Sequence, residues 1–153
     1  MSKNNILAVS VIMGALLAFP SSLNAQGTLA KATTIKCTFS LMTLSNLREE
    51  PPKAEVKPFN LVLQFDEINA DEGTAQLKSG FGAYDIVVRY AQGYLNIIQS
   101  FREGPLYMTT VLEQKTRGGK LKAMHSRHEF TIVSLPGFTS SPEQYYGECE
   151  ILK

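Results

Sequence analysis

The sequence has no tryptophan, two histidines and two cysteines, and each shortage argues against a class of site. The cysteines form no CxxC motif, so the sequence does not predict thiol–disulfide catalysis. His125 and His128 are three positions apart, and residues at that spacing on a strand point to opposite faces, which disfavours a shared zinc ion. Ser126 lies outside any Gly-x-Ser-x-Gly motif that would expose a nucleophilic serine. The residues therefore predict no catalytic, metal or cofactor site.

Long apolar runs are also scarce, because the sequence has just one, at residues 6–19. Those 14 residues are too few for a membrane anchor, since a spanning helix needs about 20. Lys3 precedes the run, and a proline and small residues up to Ala25 follow it, as in a cleavable secretory signal peptide. A buried N-terminal helix, the alternative, would need a polar face. The sequence predicts a signal peptide over residues 1–25 and a periplasmic or secreted mature chain, 26–153, with no transmembrane segment.

The mature chain carries no surplus of charge. The whole sequence has 15 basic and 14 acidic residues, and loss of Lys3 with the leader makes the two numbers equal. A net charge near zero gives no general attraction to nucleic acid or to an anionic membrane. A mature chain of 128 residues suits a single domain with a substantial core. We therefore expect one domain and no nucleic-acid partner.

Cys37 and Cys149 lie near the two ends of the mature chain, 112 positions apart. In an oxidising compartment an isolated pair of cysteines most simply forms one disulfide. Free or metal-binding thiols, the alternative, lack partner ligands at a recognisable spacing. The predicted bond closes a loop that covers nearly the whole domain, and it restrains the unfolded chain by about 4–5 kcal/mol.

Alternation with a period of two recurs along the mature chain, as in half-buried β-strands. In the first such run Ile35, Cys37, Phe39 and Leu41 share one face. The other strand-like runs are residues 59–66, 73–78, 84–90, 94–102, 107–115, 121–128, 130–133 and 145–151. Glycines separate several of them, and Gly118-Gly119 is predicted to be a two-residue hairpin turn because both positions can take positive φ.

Three stretches are predicted not to be strands. Residues 46–58 are charged and hold three prolines, so we predict an exposed loop that cannot join a ladder. Residues 135–143, with two prolines, are predicted to be a second exposed loop. Residues 66–73 are acidic but lack the spacing of a calcium loop, so a plain turn is predicted there.

These features predict an all-β fold built as a single antiparallel domain. Cys37 lies on the first strand and Cys149 on the last, and bonded cysteines have Cα atoms within about 7 Å. The two strands must therefore be neighbours, or face each other across a core. An up-and-down β-barrel of about eight strands makes them neighbours and removes both sheet edges. A two-sheet β-sandwich, closed by the same disulfide, is the other possibility.

The hairpin of residues 107–128 is unusual because neither of its faces is cleanly apolar. A two-residue turn at Gly118-Gly119 would place His125 opposite Leu112 and His128 opposite Thr109. One face would then carry Thr109, Glu113, Ser126 and His128, and the other Thr110, Gln114, His125 and Arg127. Two polar faces indicate a wet barrel end, an exposed rim or a binding patch, although a solvated, lysine-rich hairpin tip is the ordinary alternative. We therefore predict Glu113, His125, Arg127 and His128 as candidate binding residues.

Resemblance to known families is limited. Lipocalins and avidins carry a tryptophan near the barrel base, which this sequence lacks. The segment Ser79-Gly-Phe-Gly-Ala-Tyr84 resembles the Ser-Gly-x-x-Tyr turn of the small periplasmic lysozyme inhibitors, but it holds one residue more, and the similarity covers only these six positions. Those inhibitors are exported β-barrels with a disulfide that reaches toward the C-terminus. The resemblance implies an inhibitor of a hydrolase such as lysozyme.

The preferred hypothesis is an exported, non-catalytic binding or interaction module whose partner is a protein, a glycan or a small ligand. An envelope structural component is the first alternative, and long uncovered strand edges or self-association would favour it. The periplasmic hydrolase inhibitor is the second alternative. An enzyme would need titratable groups that converge in a cleft, which only the region of Glu113, His125 and His128 could offer.

Overall fold

The structure is a computed structural model that describes residues 27–78, 86–102, 104–130 and 141–152. The predicted signal peptide, the Ser79–Tyr84 turn, and most of the predicted strand 130–133 and loop 135–143 lie outside these residues. The described chain contains a short 3-10 helix, Thr28–Lys31, and eight strands. The strands are β1 (Ile35–Asn46), β2 (Lys53–Asn69), β3 (Thr74–Leu77), β4 (Ile86–Ala91), β5 (Tyr94–Ser100), β6 (Leu106–Lys115), β7 (Leu121–His128) and β8 (Glu143–Ile151).

All eight strands belong to one antiparallel sheet in the order β3-β2-β1-β8-β7-β6-β5-β4, which curls into a nearly closed barrel. The first and last strands are neighbours, and Cys37 lies directly opposite Cys149. Their sulfurs are bonded and their Cα atoms are 4.0 Å apart. The predictions of a barrel and of the disulfide are thus confirmed. The remaining seam lies between β3 and β4, where the Val88 N–H donates to the Gly73 carbonyl at 2.8 Å.

The core consists of the inward-facing side chains of the alternating strands. Its fully enclosed members include Leu29, Ile35, Cys37, Phe39, Phe65, Val88, Leu95, Ile97 and Val111. Strands β1 and β8 approach closely at Gly147, where an added Cβ would lie 2.1 Å from the Thr38 carbonyl oxygen. This position therefore requires glycine.

The two ends of the barrel differ in chemistry. The 3-10 helix lies across one end and inserts Leu29 into the apolar core. The turns β2–β3, β4–β5 and β6–β7 lie at this end, which we call the plugged end. The described strand ends that the connections β1–β2, β3–β4, β5–β6 and β7–β8 join lie at the other, the polar end. Within the described residues no helix is long and apolar enough to cross a membrane.

The predicted loop 46–58 is wrong over half of its length. Residues 53–58 belong to β2 and continue the ladder with β1 as far as the pair Asn46–Lys53, so the loop covers residues 47–52 only. The predicted exposure is correct, because residues 53–60 are all exposed. Proline is compatible with the strand because no described strand pairs with this part of β2: β3 begins its pairing at Phe65, and a strand edge without a partner tolerates a missing N–H.

The predicted hairpin register around Gly118-Gly119 is also wrong. The Thr116 N–H donates to the Lys120 carbonyl at 2.7 Å, so the loop has three residues, and Gly119 takes the positive φ of 83° that such a loop needs. A bulge between Val111 and Lys115 shifts the register again. As a result His125 faces Thr109, not Leu112, and the predicted assignment of side chains to the two faces fails.

Candidate functional site

At the polar end, inward-facing side chains of adjacent strands form two rows across the sheet, because the strand register aligns them. The first row contains Thr109, His125 and Tyr145. The second row contains Gln99, Tyr107, Arg127 and Glu143. These seven residues and Glu129, which follows β7, are called the polar cluster.

The guanidinium of Arg127 lies between two tyrosine rings of the cluster. Its Cζ is 5.2 Å from the ring centroid of Tyr107 and 5.2 Å from that of Tyr145. Its Nη1 lies 3.9 Å from the Glu143 Oε2, and the arginine side chain keeps 23% of its exposure. Each cation–π contact contributes about 0.5–2 kcal/mol. The guanidinium is therefore held in one orientation while part of it still reaches solvent.

Each tyrosine donates its hydroxyl to a carboxylate. The Tyr107 hydroxyl donates to the Glu129 Oε2 at 2.6 Å, and the Tyr145 hydroxyl donates to the Glu143 Oε2. Burial, and after it the bond to the neighbouring carboxylate, raises the pKa of both tyrosines. Both phenols therefore remain protonated donors, and both carboxylates serve as acceptors.

His125 is enclosed by the cluster, with 1% of its surface exposed. Burial, and after it the charge of Arg127, lowers the pKa of the imidazole from 6.5 to about 3, so the ring is neutral at neutral pH. The Arg127 Nε donates to the ring Nε2 at 3.4 Å. We therefore assign the ring proton to Nδ1, which lies 2.8 Å from the Thr109 Oγ1 and donates to it.

Gln99 ends the second row with an unsatisfied donor. The residue is 2% exposed, and its Nε2 has no hydrogen-bond partner among the described residues. A buried amide without an acceptor costs about 1–3 kcal/mol. The polar cluster thus holds a donor that a bound acceptor or a water would satisfy.

An open groove of about 150 Å³ borders the cluster on the outer face of β1, β7 and β8. Its floor is a cross-strand row of Thr43, Gln144 and Ser126. The complete lining is Thr43, Ser45, Ser126, Arg127, His128, Pro142, Glu143 and Gln144. Pockets that enclose whole small molecules measure about 300–1,000 Å³, so this groove fits one polar group of a larger ligand.

A second open groove of about 360 Å³ follows the extended β1–β2 hairpin at the same end. Its lining is Leu44, Asn46, Arg48, Glu49, Lys53, Glu55 and Ser141. Lys53 and Glu49 form an ion pair there, with Nζ and Oε2 2.6 Å apart. Two polar grooves thus lie at the end of the barrel where the polar cluster reaches the surface.

The structure brings only some of the sequence-predicted residues together. His125 and Arg127 are in contact, and Arg127 and His128 line the same groove. His128 itself is exposed and pairs with Leu106 through the backbone.

Glu113 lies at the plugged end, far from the other three. Its carboxylate accepts from the Tyr90 hydroxyl at 2.9 Å and from the Leu29 N–H at 3.4 Å. An added Cβ on Gly27 would lie 1.8 Å from the Glu113 Oε1. In this structure Glu113 fixes the chain that leads into the 3-10 helix.

Sequence reasoning missed Tyr107, Glu129, Glu143 and Tyr145 as site residues. A signal existed for two of them: the alternation Tyr145, Gly147, Cys149, Ile151, continued backward by two positions, reaches Glu143 on the same face. The contact with Arg127 could not be read from that pattern, because it depends on the register between β7 and β8.

The part of the chain that the structure describes contains no group of three histidine, cysteine, aspartate or glutamate side chains that could hold a metal ion. The turn predicted for the acidic stretch 66–73 is correct only for its second half, because residues 66–69 are the end of β2 and the turn covers residues 70–73. The Asn69 Oδ1 accepts from the Asp71 N–H at 3.1 Å and from the Glu72 N–H at 3.0 Å, which is an Asx turn.

Comparisons with known proteins assign no family. No protein-family model matches the chain, and neither a curated protein nor a solved structure matches it. A function for this barrel is therefore inferred from its own side chains.

Proposed function

We propose that this chain is an exported, non-catalytic binding module and that its ligand binds at the polar end of the barrel. The observation that carries the proposal is the fixed guanidinium of Arg127, held between Tyr107 and Tyr145 at the edge of the groove. A planar donor that is already oriented loses little conformational freedom on binding.

The surroundings of Arg127 support recognition of a polar, hydrogen-bonding ligand. The groove offers hydroxyl and amide groups from Thr43, Ser126 and Gln144, which both donate and accept. Glu143 lies beside the guanidinium and Glu129 lies beside Tyr107, so the cluster carries no surplus of positive charge and a strongly anionic ligand is not favoured. A neutral polar group, such as a sugar hydroxyl or a peptide amide, fits these donors and acceptors best.

The position of His125 supports a non-catalytic role. Its ring lies inside the barrel with Nδ1 bonded to Thr109, whereas Ser126, the next residue on the strand, lines the outer groove. Successive residues of a strand point to opposite faces. His125 and Ser126 therefore lie on opposite faces of the sheet. The imidazole is separated from the Ser126 hydroxyl, the neighbouring group that could otherwise serve as a nucleophile.

Binding can be tested with a printed glycan array and a peptide array probed with the mature chain. We expect Arg127→Lys, which keeps the charge but loses the planar fork, to weaken a hit about tenfold or more. Arg117→Lys, an exposed arginine in the β6–β7 turn at the plugged end, is the matched control and should leave the hit unchanged. A hit that tolerates Arg127→Lys and Gln144→Ala equally well would place binding elsewhere.

Export is part of this proposal, and the disulfide is compatible with it because such bonds persist in oxidising compartments. Mass spectrometry of the protein from periplasm or culture medium should find an N-terminus near Gln26. Recovery of intact Met1 on the exported protein would contradict the predicted leader.

One observation favours the alternative of an envelope structural component. Part of β2 has no partner strand on one side among the described residues. Uncovered edges of this kind allow a chain to assemble with others.

A further inference from the structure

The exposed part of β2, residues 53–60, is named the β2 edge. On one side it pairs with β1. On the other side no described strand pairs with it, because β3 begins its pairing at Phe65. Its side chains are exposed throughout, and Val56 keeps 66% of its surface accessible. The β2 edge therefore has free backbone groups along one side within the described part of the chain.

The direction of those backbone groups follows from one hydrogen bond. The Ser45 N–H donates to the Pro142 carbonyl at 3.1 Å, so Ser45 faces β8. Backbone groups alternate along a strand, and Leu44 therefore faces β2, where it meets Glu55. The same alternation along β2 directs the backbone of Ala54, Val56 and Pro58 outward.

The charges of the β2 edge alternate, and two of its three charged side chains have no ion-pair partner in the described structure. Lys53 forms an ion pair with Glu49. Glu55 and Lys57 form none with any described residue, although both are exposed. Glu55 and Lys57 are thus two exposed charges of opposite sign. An antiparallel strand that carries the same two charges would present them in the reverse order, so that each would meet its opposite.

We propose that the β2 edge pairs with the β2 edge of a second copy of this chain, antiparallel, about a two-fold axis at Val56. In this register each Glu55 lies opposite the Lys57 of the other copy, so two ion pairs form. Val56 exchanges two backbone hydrogen bonds with its counterpart. Each Ala54 N–H donates to the Pro58 carbonyl across the axis, which needs no N–H from the proline.

Other two-fold registers are less favourable on charge and on hydrogen bonding. An axis at Glu55 or at Lys57 places like charges directly opposite each other, which destabilises a strand pair. An axis at Pro58 sets two prolines opposite each other and loses the central donors. An axis at Ala54 gives the same number of hydrogen bonds, with Pro52 as an acceptor, and pairs Lys53 with Glu55, but these pairs compete with the existing bond from Lys53 to Glu49. The axis at Val56 combines four hydrogen bonds with two ion pairs between charges that have no ion-pair partner in the described structure.

The expected dimer is weak and sensitive to salt. Exposed ion pairs contribute little each and are screened at high ionic strength, and lysine and proline on an edge also limit growth beyond one partner. Sedimentation velocity over a concentration series at low salt should show a monomer–dimer equilibrium for the mature wild type.

Charge reversal tests both the partner and the register. Glu55→Lys and Lys57→Glu each turn both cross-axis pairs into like charges, so each variant alone should dissociate about tenfold more easily, equivalent to about 1.4 kcal/mol. An equimolar mixture of the two variants restores opposite charges at every pair and should regain association at wild-type strength. The double variant Glu55→Lys/Lys57→Glu should also associate like the wild type.

Lys115→Glu reverses the charge of an exposed lysine at the end of β6. It is the matched control and should associate like the wild type. Circular dichroism should show that each variant is folded. A wild type that stays monomeric at its highest soluble concentration overturns the proposal. So does a mixture that associates no better than either variant alone.

Discussion

The Nε of Arg127 lies 3.4 Å from the Nε2 of His125, so a permanently charged group faces a buried imidazole. The contact is attractive only while the imidazole is neutral and accepts the hydrogen bond. A protonated ring would bring two cations together inside the barrel, where the charged form is also poorly solvated. The polar cluster therefore depends on a neutral His125.

The first prediction follows from this dependence. The pKa of His125 falls from 6.5 in the unfolded chain to about 3 in the folded chain, so between these values the unfolded state binds a proton that the folded state does not. The neutral imidazole therefore makes its full contribution to the free energy of unfolding above about pH 6.5. Below that value, the free energy of unfolding falls by about 1.4 kcal/mol per pH unit as the pH drops toward 3.

Urea unfolding of the wild type and of His125→Gln at several pH values measures this pH-dependent loss of stability. The glutamine variant should lack this component, and identical pH slopes in the two proteins would contradict the assignment. Because His125 stays neutral between about pH 5 and 8, its protonation cannot make ligand binding vary with pH in that window.

The second prediction compares two adjacent tyrosines. Tyr145→Phe removes the hydroxyl that bonds to Glu143 in a buried position and should lower the free energy of unfolding by about 1–3 kcal/mol. Tyr146→Phe alters a side chain that is 39% exposed and should change it by less than about 0.5 kcal/mol. Thermal unfolding of both variants provides the measurement. Equal effects would show that the Tyr145–Glu143 bond adds nothing.

The third prediction concerns the close approach of β1 and β8. Gly147→Ala would place a Cβ 2.1 Å from the Thr38 carbonyl oxygen, which is backbone and cannot move aside cheaply, so we expect destabilisation of about 3 kcal/mol. Gly118→Ala is the control, since the nearest atom to its added Cβ is the Thr116 Oγ1 at 3.6 Å. Denaturant unfolding should separate the two variants clearly.

The fourth prediction concerns the disulfide. Replacement of both Cys37 and Cys149 by alanine should lower the free energy of unfolding by about 2–5 kcal/mol, because the bond restrains a loop of 112 residues in the unfolded chain. The double variant avoids a leftover thiol. Native-like stability of the wild type in strong reductant would contradict a structural role.

The sequence predicted the global fold better than the site. Alternation identified the strands, and the positions of Cys37 and Cys149 on the first and last of them required these strands to be neighbours or to face each other across a core. The location of the seam could not be predicted, because the pairing of β3 with β4 leaves no mark in the alternation. The strand character of residues 53–58 was hidden by Pro58, whose missing N–H is harmless only on an unpaired edge.

The candidate site was predicted in part for a specific reason. Polar residues on β7 drew attention to His125 and Arg127, and these do meet in the polar cluster. Their partners depend on register, and a three-residue turn followed by a bulge moves the register by an amount that Gly118-Gly119 does not reveal. Glu113 was grouped with the histidines by the wrong register, and it lies at the opposite end of the barrel.

The bond between the first and last strands also determines how this protein would respond to proteolysis. All four connections at the polar end lie between Cys37 and Cys149 in the sequence. A protease that cuts one of them produces two pieces that stay joined through the sulfurs and through the sheet. The nicked molecule would migrate as a single species until it is reduced. The disulfide and the chain between the two cysteines thus form a closed covalent loop. A single cut within this loop leaves the two pieces of the barrel covalently linked.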